Sequence, residues 1–441
     1  MRSPRLLAAV AVWILLVAGS GTVVALTRGP EAGPATPAPP APPTTGAPTP
    51  STPTDPAPAG AGQPLSGELA TLMAQVAELR GLAWLVPLDL RVVARDDMVR
   101  ELGRVVARDR DPAELAAAQD ILGLLELIPR DADYERIVDD LLSEQVLGFY
   151  DQRTGQLFVG AADPDDLDPA TKLTVVHEMV HALTDQHFGF GARDEELEAD
   201  HTTETAVGLS ALAEGDAVTI QRAWAARYLS AAGQLSAALG SGGSDEALSR
   251  APAYVRRSLF FPYTDGVRFV AALRQAGGQG TLDAAYRDLP ATTEQILHPE
   301  RFLAGEGPRP VAPPPVSGTG CSEAHTGLLG EYDLAALLDD ELPAAEADDA
   351  AEGWGGDAFR LLRCAGAPVL AGTIVMDGPE DAADLARAFR SWASGWSGGA
   401  VGPDGRFAGP GGAGWVGGET GRLDYVLALD AATRDRVAPG G

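Results

Sequence analysis

The sequence has little cysteine, little histidine and little positive charge. Its 441 residues include two Cys and six His, and 33 Lys and Arg stand against 62 Asp and Glu. The formal net charge of −29 argues against nucleic acid as a partner, because phosphate binding requires a basic surface. An acidic surface selects no substrate by itself, since it commonly serves solubility.

The two cysteines, Cys321 and Cys364, are an even count, which permits one disulfide in an exported protein. The alternative is a pair of free, buried thiols. We do not expect either cysteine to bind zinc, because both lie far along the chain from the histidine pair described below and lack close spacing.

Long hydrophobic runs are absent except at the N-terminus, where no charge interrupts Leu6 to Leu26. About 20 apolar residues suffice to cross the ~30 Å of a bilayer core. Arg2 and Arg5 precede the run and favour an N-terminus in the cytoplasm. The sequence therefore predicts a single-pass protein of the cell membrane whose remaining chain faces outwards.

The predicted boundaries are a cytoplasmic tail over 1–5 and a transmembrane signal anchor over 6–27. A cleaved signal peptide is the alternative, with the small residues at 18–20 marking the cut, and the protein is then secreted. Residues 28–64 are rich in Pro, Ala and Thr and cannot form a core, so they predict a disordered linker.

The chemistry-bearing motif is His177-Glu178-Met179-Val180-His181. Two His four residues apart lie on one face of a helix and can both bind one Zn²⁺. Glu178 then lies beside the ion, where a general base takes a proton from water. With six His in the chain, chance explains this pattern poorly. The alternative is a helix carrying two core histidines.

The flanking residues predict a helix around this motif. Asp168-Pro169 is typical of an N-cap followed by proline at the first helical position, and an apolar face continues to Phe188. Upstream, two strand-like runs at 146–150 and 156–160 flank a turn that ends in Gly155, which indicates a β-hairpin. Such a hairpin either binds an extended peptide at its edge or is purely structural.

A catalytic zinc site needs a third protein ligand. Glu214 is the candidate, because it lies among apolar residues in a second helix predicted over about 202–228, where a buried carboxylate needs a partner. Asp216 or a nearby carboxylate is expected to orient a ligating imidazole. The rival third ligands are Glu198, His187, Asp200 and His201.

The segments EQVLGFYDQRTGQLFV, HEMVHALTDQHF and ALAEGDA together resemble a bacterial family of exported gluzincin-like proteins in the thermolysin-like metallopeptidase superfamily. The resemblance covers residues 144–303 and implies a zincin fold, bound zinc and peptide hydrolysis. By this resemblance His177, His181 and Glu214 bind the metal and Glu178 is the general base.

Two further side chains are candidates for stabilising the oxyanion that forms on attack. Tyr263 lies in a segment that leads into a helix predicted over 267–275, and His298 lies in a Pro-bounded turn in which it is alternatively structural. Residues 65–306 are predicted to form the metallopeptidase domain and residues 307–441 a C-terminal α+β subdomain without a catalytic cluster.

The sequence thus predicts an α+β, zincin-like fold that is mainly helical with a small mixed sheet, preceded by one transmembrane helix. The expected function is that of an extracytoplasmic zinc peptidase acting on a peptide or protein substrate. The alternatives are a non-catalytic binding protein on the same scaffold and a zinc hydrolase of a non-peptide amide. The sequence does not determine the oligomeric state.

Overall fold

The computed structural model describes residues 67–142, 146–199, 203–240, 246–315 and 320–438. The predicted tail over 1–5, anchor over 6–27 and linker over 28–64 lie outside these ranges. No helix within them is both long and apolar enough to cross a membrane.

The described ranges contain sixteen helices and nine strands. The helices are α1 (Gly67–Arg80), α2 (Arg95–Asp109), α3 (Pro112–Leu124), α4 (Tyr134–Leu142), α5 (Pro169–Phe188), α6 (Phe190–Ala199), α7 (Thr203–Tyr228), α8 (Ala231–Gly240), α9 (Glu246–Arg250), α10 (Ala253–Ala285), α11 (Thr293–Leu297), α12 (Pro299–Ala304), α13 (Gly330–Leu338), α14 (Ala344–Ala351), α15 (Pro379–Ser397) and α16 (Ala431–Arg434). The strands are β1 (Asp89–Val93), β2 (Gly148–Asp151), β3 (Gln156–Gly160), β4 (Cys321–Gly327), β5 (Trp354–Cys364), β6 (Ala367–Met376), β7 (Arg406–Gly409), β8 (Gly412–Gly417) and β9 (Arg422–Ala428).

The predicted fold class is wrong, because the strands form two sheets rather than one small mixed sheet. The first sheet has the order β1-β3-β2, with β1 parallel and β2 antiparallel to β3. The second sheet is larger, wholly antiparallel, and has the order β4-β5-β6-β9-β8-β7.

The larger sheet escaped prediction because pairing between distant strands decides it. Strands β7 and β8 are glycine-rich and short, so they lack the alternation of apolar and polar residues that marks a strand in sequence. They become strands by pairing with each other and, through β8, with β9. Such pairing depends on the register of whole strands and not on local propensity.

The predicted helix over 169–188 is confirmed with the same bounds as α5. The Asp168 carboxylate accepts hydrogen bonds from the backbone N–H groups of Ala170 and Thr171, and Pro169 occupies the first helical position. Gly189 ends the helix in the left-handed conformation, with φ of 64°. Every residue from 174 to 184 is buried, as expected of a helix that is packed on all sides.

Helices α1, α5 and α7 and the smaller sheet share one apolar core, with α5 at its centre. The predicted hairpin is confirmed as β2 and β3, and both strands contact α5. Helices α1 and α7 pack on the same helix, and α7 confirms the second predicted helix, apart from residue 202, which is not described. The core side chains include Leu72, Val76, Leu157, Val159, Val176, Met179, Val180, Leu183, Ile220 and Trp224.

The helix predicted over 267–275 is only part of a much longer element. Helix α10 begins at Ala253 and continues through Pro262, and its regular geometry is interrupted only at Gly277 and Gly278. Tyr263 therefore lies within a helix and not in a loop that precedes one. Burial of Phe261, Phe269 and Leu273 along this helix outweighs the helix-breaking tendency of the proline.

One apolar core extends across the boundary predicted at residue 306. Side chains from α3 and α4, including Ile121, Leu122 and Val138, join the cluster that contains Phe389, Trp392 and other residues packed on the larger sheet. The Trp396 indole also donates a hydrogen bond to the Leu124 carbonyl, at 2.9 Å. Two helices from the N-terminal half thus complete the packing of the C-terminal sheet.

Cys321 and Cys364 form a disulfide between β4 and β5. The two residues stand opposite each other in the antiparallel register, which brings their side chains together. Of the two alternatives for this pair, a disulfide or two free buried thiols, the disulfide is the one present.

One buried carboxylate holds the start of α13 to β5, and a second links α13 to a helix of the N-terminal part. Asp357 on β5 accepts hydrogen bonds from the backbone N–H groups of Leu329 and Gly330 at the start of α13. Asp333 on α13 accepts one from the Tyr254 hydroxyl on α10, at 2.9 Å. Burial raises the pKa of Asp333 to about 7 against the effect of this hydrogen bond, and the charge of Asp357 raises it further.

The titration of Asp333 predicts a loss of stability as the pH rises. Between about pH 4 and 7 the folded state holds a proton on Asp333 that the unfolded state releases, so the stabilisation is complete below about pH 4 and is lost through pH 7. The free energy of unfolding of Asp333→Asn is compared with that of the wild type at each pH. The difference between the two should change by a few kcal/mol across this window. Denaturant unfolding in chelator at each pH measures it.

Asp349→Asn is the control for this experiment, because that carboxylate lies exposed on α14. Its difference from the wild type should stay nearly constant over the same range. A difference for Asp333→Asn that is equally independent of pH would contradict the assignment.

Candidate metal centre

The structure brings His177, His181 and Glu214 together. The two imidazole rings on α5 have centroids 4.7 Å apart. Glu214 reaches them from α7, with its Oε2 atom 2.9 Å from His177 Nε2 and 3.6 Å from His181 Nε2. The three side chains offer ligand atoms that all lie within 4.8 Å of one another. Each is at most 2% exposed.

Burial and mutual contact shift the pKa values of the groups in this cluster. Burial lowers the pKa of His177, which favours the neutral imidazole that binds metal. Burial opposes ionisation of Glu214, yet the two imidazoles outweigh it and lower the pKa of this carboxyl to about 2. A carboxylate with two imidazoles is one of the donor sets found in three-ligand zinc sites.

Of the rival third ligands, only His187 has a described side chain, and it does not belong to this cluster. The His187 Nε2 atom lies 2.7 Å from the carbonyl oxygen of Ala83, in the loop that follows α1. Asp200 and His201 lie outside the described residues, and so does the side chain of Glu198.

Glu178 is buried next to the ligands and beside strand β2. A Cβ atom added at Gly148 would lie 3.9 Å from Glu178 Cγ, so the start of this strand runs directly past the carboxyl group. Burial raises the pKa of Glu178 well above its usual value, as does the charge of Glu214, while the approaching backbone N–H of Tyr150 lowers it. The protonated form of this carboxyl is therefore favoured in the absence of a nearby cation.

The two candidate oxyanion donors lie in different surroundings. Tyr263 lies at the cluster, with its ring centroid 6.3 Å from that of His177. Burial raises the pKa of its phenol well above 10, as do the charges of Glu214 and Glu178 and a hydrogen bond to Glu214. His298 instead pairs with Glu331 on α13, at 2.8 Å, and this hydrogen bond is the main cause of its raised pKa.

Asp216 does not have the predicted role of orienting an imidazole. Its Oδ2 atom lies 2.6 Å from Nε of Arg80 and accepts a hydrogen bond from the Tyr286 hydroxyl at 3.2 Å. Side chains that are two residues apart on a helix project about 200° apart around its axis. Asp216 therefore points away from α5 when Glu214 faces it.

A second carboxylate on α5, one turn after a candidate ligand, is one that the prediction missed. Asp185 lies four residues after His181 on α5, and the charge of this histidine lowers the pKa of Asp185, although burial raises it more. The Tyr150 hydroxyl and the Gly191 N–H both donate to this carboxylate. The i, i+4 spacing from His181 was the available signal.

A close contact between two helices explains why the middle residue of Glu214-Gly215-Asp216 is glycine. Helices α7 and α10 cross with their backbones in contact, and a Cβ atom at Gly215 would lie 2.2 Å from the carbonyl oxygen of Gly266. On the other side of the crossing, a Cβ atom at Gly266 would lie 2.1 Å from the Ala211 carbonyl oxygen. The close approach brings Tyr263, three residues before Gly266, next to Glu214.

A methyl group at this crossing should be strongly destabilising. In Gly215→Ala the two helices must move apart, and we expect a loss of about 3 kcal/mol or more in the free energy of unfolding. Gly103→Ala is the matched control, because Gly103 is exposed on α2 with nothing within 4 Å of an added Cβ. That change should stabilise by about 0.5–1 kcal/mol. Denaturant unfolding of both variants measures the contrast, and equal stabilities would refute the close contact.

A second group of acidic residues surrounds the side chain of Arg301. Glu294, Glu306 and Asp377 offer carboxylate oxygens within 4.8 Å of one another. The Nη1 atom of Arg301 lies 2.9, 2.8 and 2.5 Å from these three carboxylates. Arg301 already supplies the positive charge in this group, which we therefore interpret as an ion-pair network.

Comparison with known proteins gives one finding, in the C-terminal part. A family model described as a domain of unknown function (DUF8575) matches residues 319–437, which hold the larger sheet and exclude the metal cluster. No curated protein matches the chain. No solved structure matches it.

Proposed function

We propose that the protein is a zinc metallopeptidase. The observation that carries the proposal is the convergence of Glu214 on the two Nε2 atoms of His177 and His181, with Glu178 buried beside them. The Glu214 helix and the histidine helix are separate elements, so the meeting of these groups is independent of the local motif.

Different side chains of the site bind the metal, transfer the proton and stabilise the oxyanion in the proposed reaction. A zinc ion bound by His177, His181 and Glu214 supplies positive charge that makes water a better nucleophile and polarises a peptide carbonyl. Glu178 accepts the proton of the attacking water and delivers it to the leaving amine. Tyr263 donates a hydrogen bond to the oxyanion, a role that its position beside Glu214 supports better than the pairing of His298 with Glu331 does.

The smaller sheet supports a peptide as the substrate. Its order makes β2 an edge strand, and β2 is also the strand that runs past Glu178. An extended peptide that adds to the edge of a sheet gains backbone hydrogen bonds whatever its sequence. Binding at β2 brings a peptide bond close to the general base.

The sequence and the disulfide support a location outside the cytoplasm. The run over 6–27 anchors the protein in the cell membrane, or is removed on secretion, and the linker over 28–64 separates the folded part from the bilayer. The Cys321–Cys364 bond is stable in such a compartment.

A non-catalytic zinc protein is the second candidate, and the burial of the cluster favours it. His177, Glu178, His181 and Glu214 are each at most 2% exposed, whereas a peptidase must admit a peptide carbonyl to the metal. The three-membered ligand set favours the enzyme instead, because structural zinc sites are usually closed by four protein ligands.

Glu178→Gln separates these two functions. Loss of the general base should lower hydrolysis of casein and of a mixed quenched-fluorescence peptide library by about 10²–10⁴-fold, while the zinc content stays at that of the wild type. Glu204→Gln is the matched control, because Glu204 is also buried and burial raises its pKa well above the usual value. It lies on α7 about three turns before Glu214, where its carboxylate accepts hydrogen bonds from Thr293, and the variant should retain activity. Zinc-loaded wild type that cleaves neither probe would favour the second candidate.

Glu214→Ala tests the third ligand. The variant should bind zinc on the order of 100-fold or more weakly, since even loss of an outer partner of a ligand commonly costs 10–100-fold. Competition with a chromogenic chelator measures the affinity, again with Glu204→Gln as the control. Zinc affinity equal to that of the wild type would exclude Glu214 as a ligand.

A further inference from the structure

A fully buried arginine lies close to the metal cluster and takes no part in it. Arg80 is the last residue of α1 and is 0% exposed. Its Nε atom lies 2.6 Å from Asp216 Oδ2, and its Nη2 atom lies 2.8 Å from Asp283 Oδ1 on α10. Arginine is almost never fully buried unless it is paired, and a buried ion pair loses most of its value when one partner is removed.

The partner of Arg80 lies on the helix that carries the third ligand. Asp216 follows Glu214 by two residues, so the two carboxylates project from nearly opposite sides of α7. Glu214 faces the imidazoles of α5, and Asp216 faces the guanidinium of α1. The rotation of α7 about its axis is therefore fixed from both sides.

The same ion pair is connected to the histidine helix. The Tyr286 hydroxyl donates to Asp216 Oδ2 and lies within hydrogen-bonding reach of Thr184 on α5. The Thr184 hydroxyl in turn donates to the carbonyl oxygens of Val180 and His181, at 2.8 and 3.1 Å. Arg80 thus ends a chain of polar contacts that touches both ligand-bearing helices.

We propose that Arg80 is a positioning residue of the metal centre, which acts through Asp216 to hold Glu214 against the two histidines. The inference rests on the metal site of the proposed function. It makes α1 part of the active centre. Loss of Arg80 removes the contact that fixes the rotation of α7 and also leaves Asp216 buried without its main cationic partner. Either change lets α7 turn or shift, which moves Glu214.

The chain supplies a matched control for this pair. Arg227 on α7 and Glu78 on α1 join the same two helices, at 2.6 Å, but their side chains are 52% and 55% exposed and Arg227 lies more than three turns beyond Glu214. Removal of this second pair weakens the contact between α1 and α7 without leaving a buried charge near the ligand.

The experiment compares Arg80→Met, Arg80→Lys and Arg227→Met with the wild type in the full chain. Zinc affinity is measured by chelator competition, and the melting temperature is measured in chelator to isolate folding from metal binding. Co²⁺ replaces zinc in a third measurement, because its visible spectrum reports the coordination geometry. We expect Arg80→Met to bind zinc 10–100-fold more weakly with an altered cobalt spectrum. Arg80→Lys should regain most of the affinity, and Arg227→Met should match the wild type.

A double variant, Arg80→Met with Asp216→Leu, keeps the test decisive if Arg80→Met does not fold. Replacing both charges by apolar groups avoids a lone buried carboxylate, so this variant should fold. We expect it to remain weak in zinc binding, because α7 then lacks the contact that sets its rotation.

The measurements distinguish failure of the proposed function from failure of the role proposed for Arg80. If the wild type takes up neither zinc nor cobalt, the proposed function itself fails, whatever Arg80 does. If the wild type binds zinc and both Arg80→Met and the double variant bind it equally well with an unchanged cobalt spectrum, Arg80 is an ordinary structural ion pair and the inference is overturned. The same holds if Arg227→Met lowers the affinity as much as Arg80→Met does.

Discussion

The contact between one buried carboxylate and two buried imidazoles is the constraint on which the site depends. Glu214 and the histidines come from different helices, and their polar atoms approach within hydrogen-bonding distance where almost no water reaches. Charged and polar groups in such surroundings are stable only when their partners are fixed in place. The packing of α5 against α7, and of α1, β2 and α10 around them, supplies that fixation.

The short segment around Glu214 shows how closely packing and chemistry are joined. Glu214 faces the histidines, Gly215 permits the backbone of α10 to come into contact, and Asp216 faces the buried Arg80. Three consecutive residues therefore meet three different elements. A change at any of them alters the position of α7, so the geometry of the site depends on contacts that never touch a ligand.

The C-terminal sheet is attached to the rest of the molecule through shared apolar packing and buried carboxylates. Helices α3 and α4 contribute to its core, and Asp333 and Asp357 link α13 to α10 and β5. The matched domain of unknown function covers this sheet but not α3 and α4. Part of the core packed on this sheet is therefore supplied by residues that precede α5 in the chain.

The sequence by itself determined the local elements and the identity of the candidate ligands. The cap at Asp168, the turn at Gly155 and the spacing of His177 and His181 are short-range signals, and the helix and hairpin that they predict are present with nearly the predicted bounds. Tertiary structure alone decided that Asp216 pairs with Arg80, that Tyr263 lies within a long helix at the cluster, and that the glycine-rich strands join a six-stranded sheet. These features depend on which distant surfaces meet, and the burial gained there outweighs local propensity, so no pattern within a short stretch of sequence encodes them.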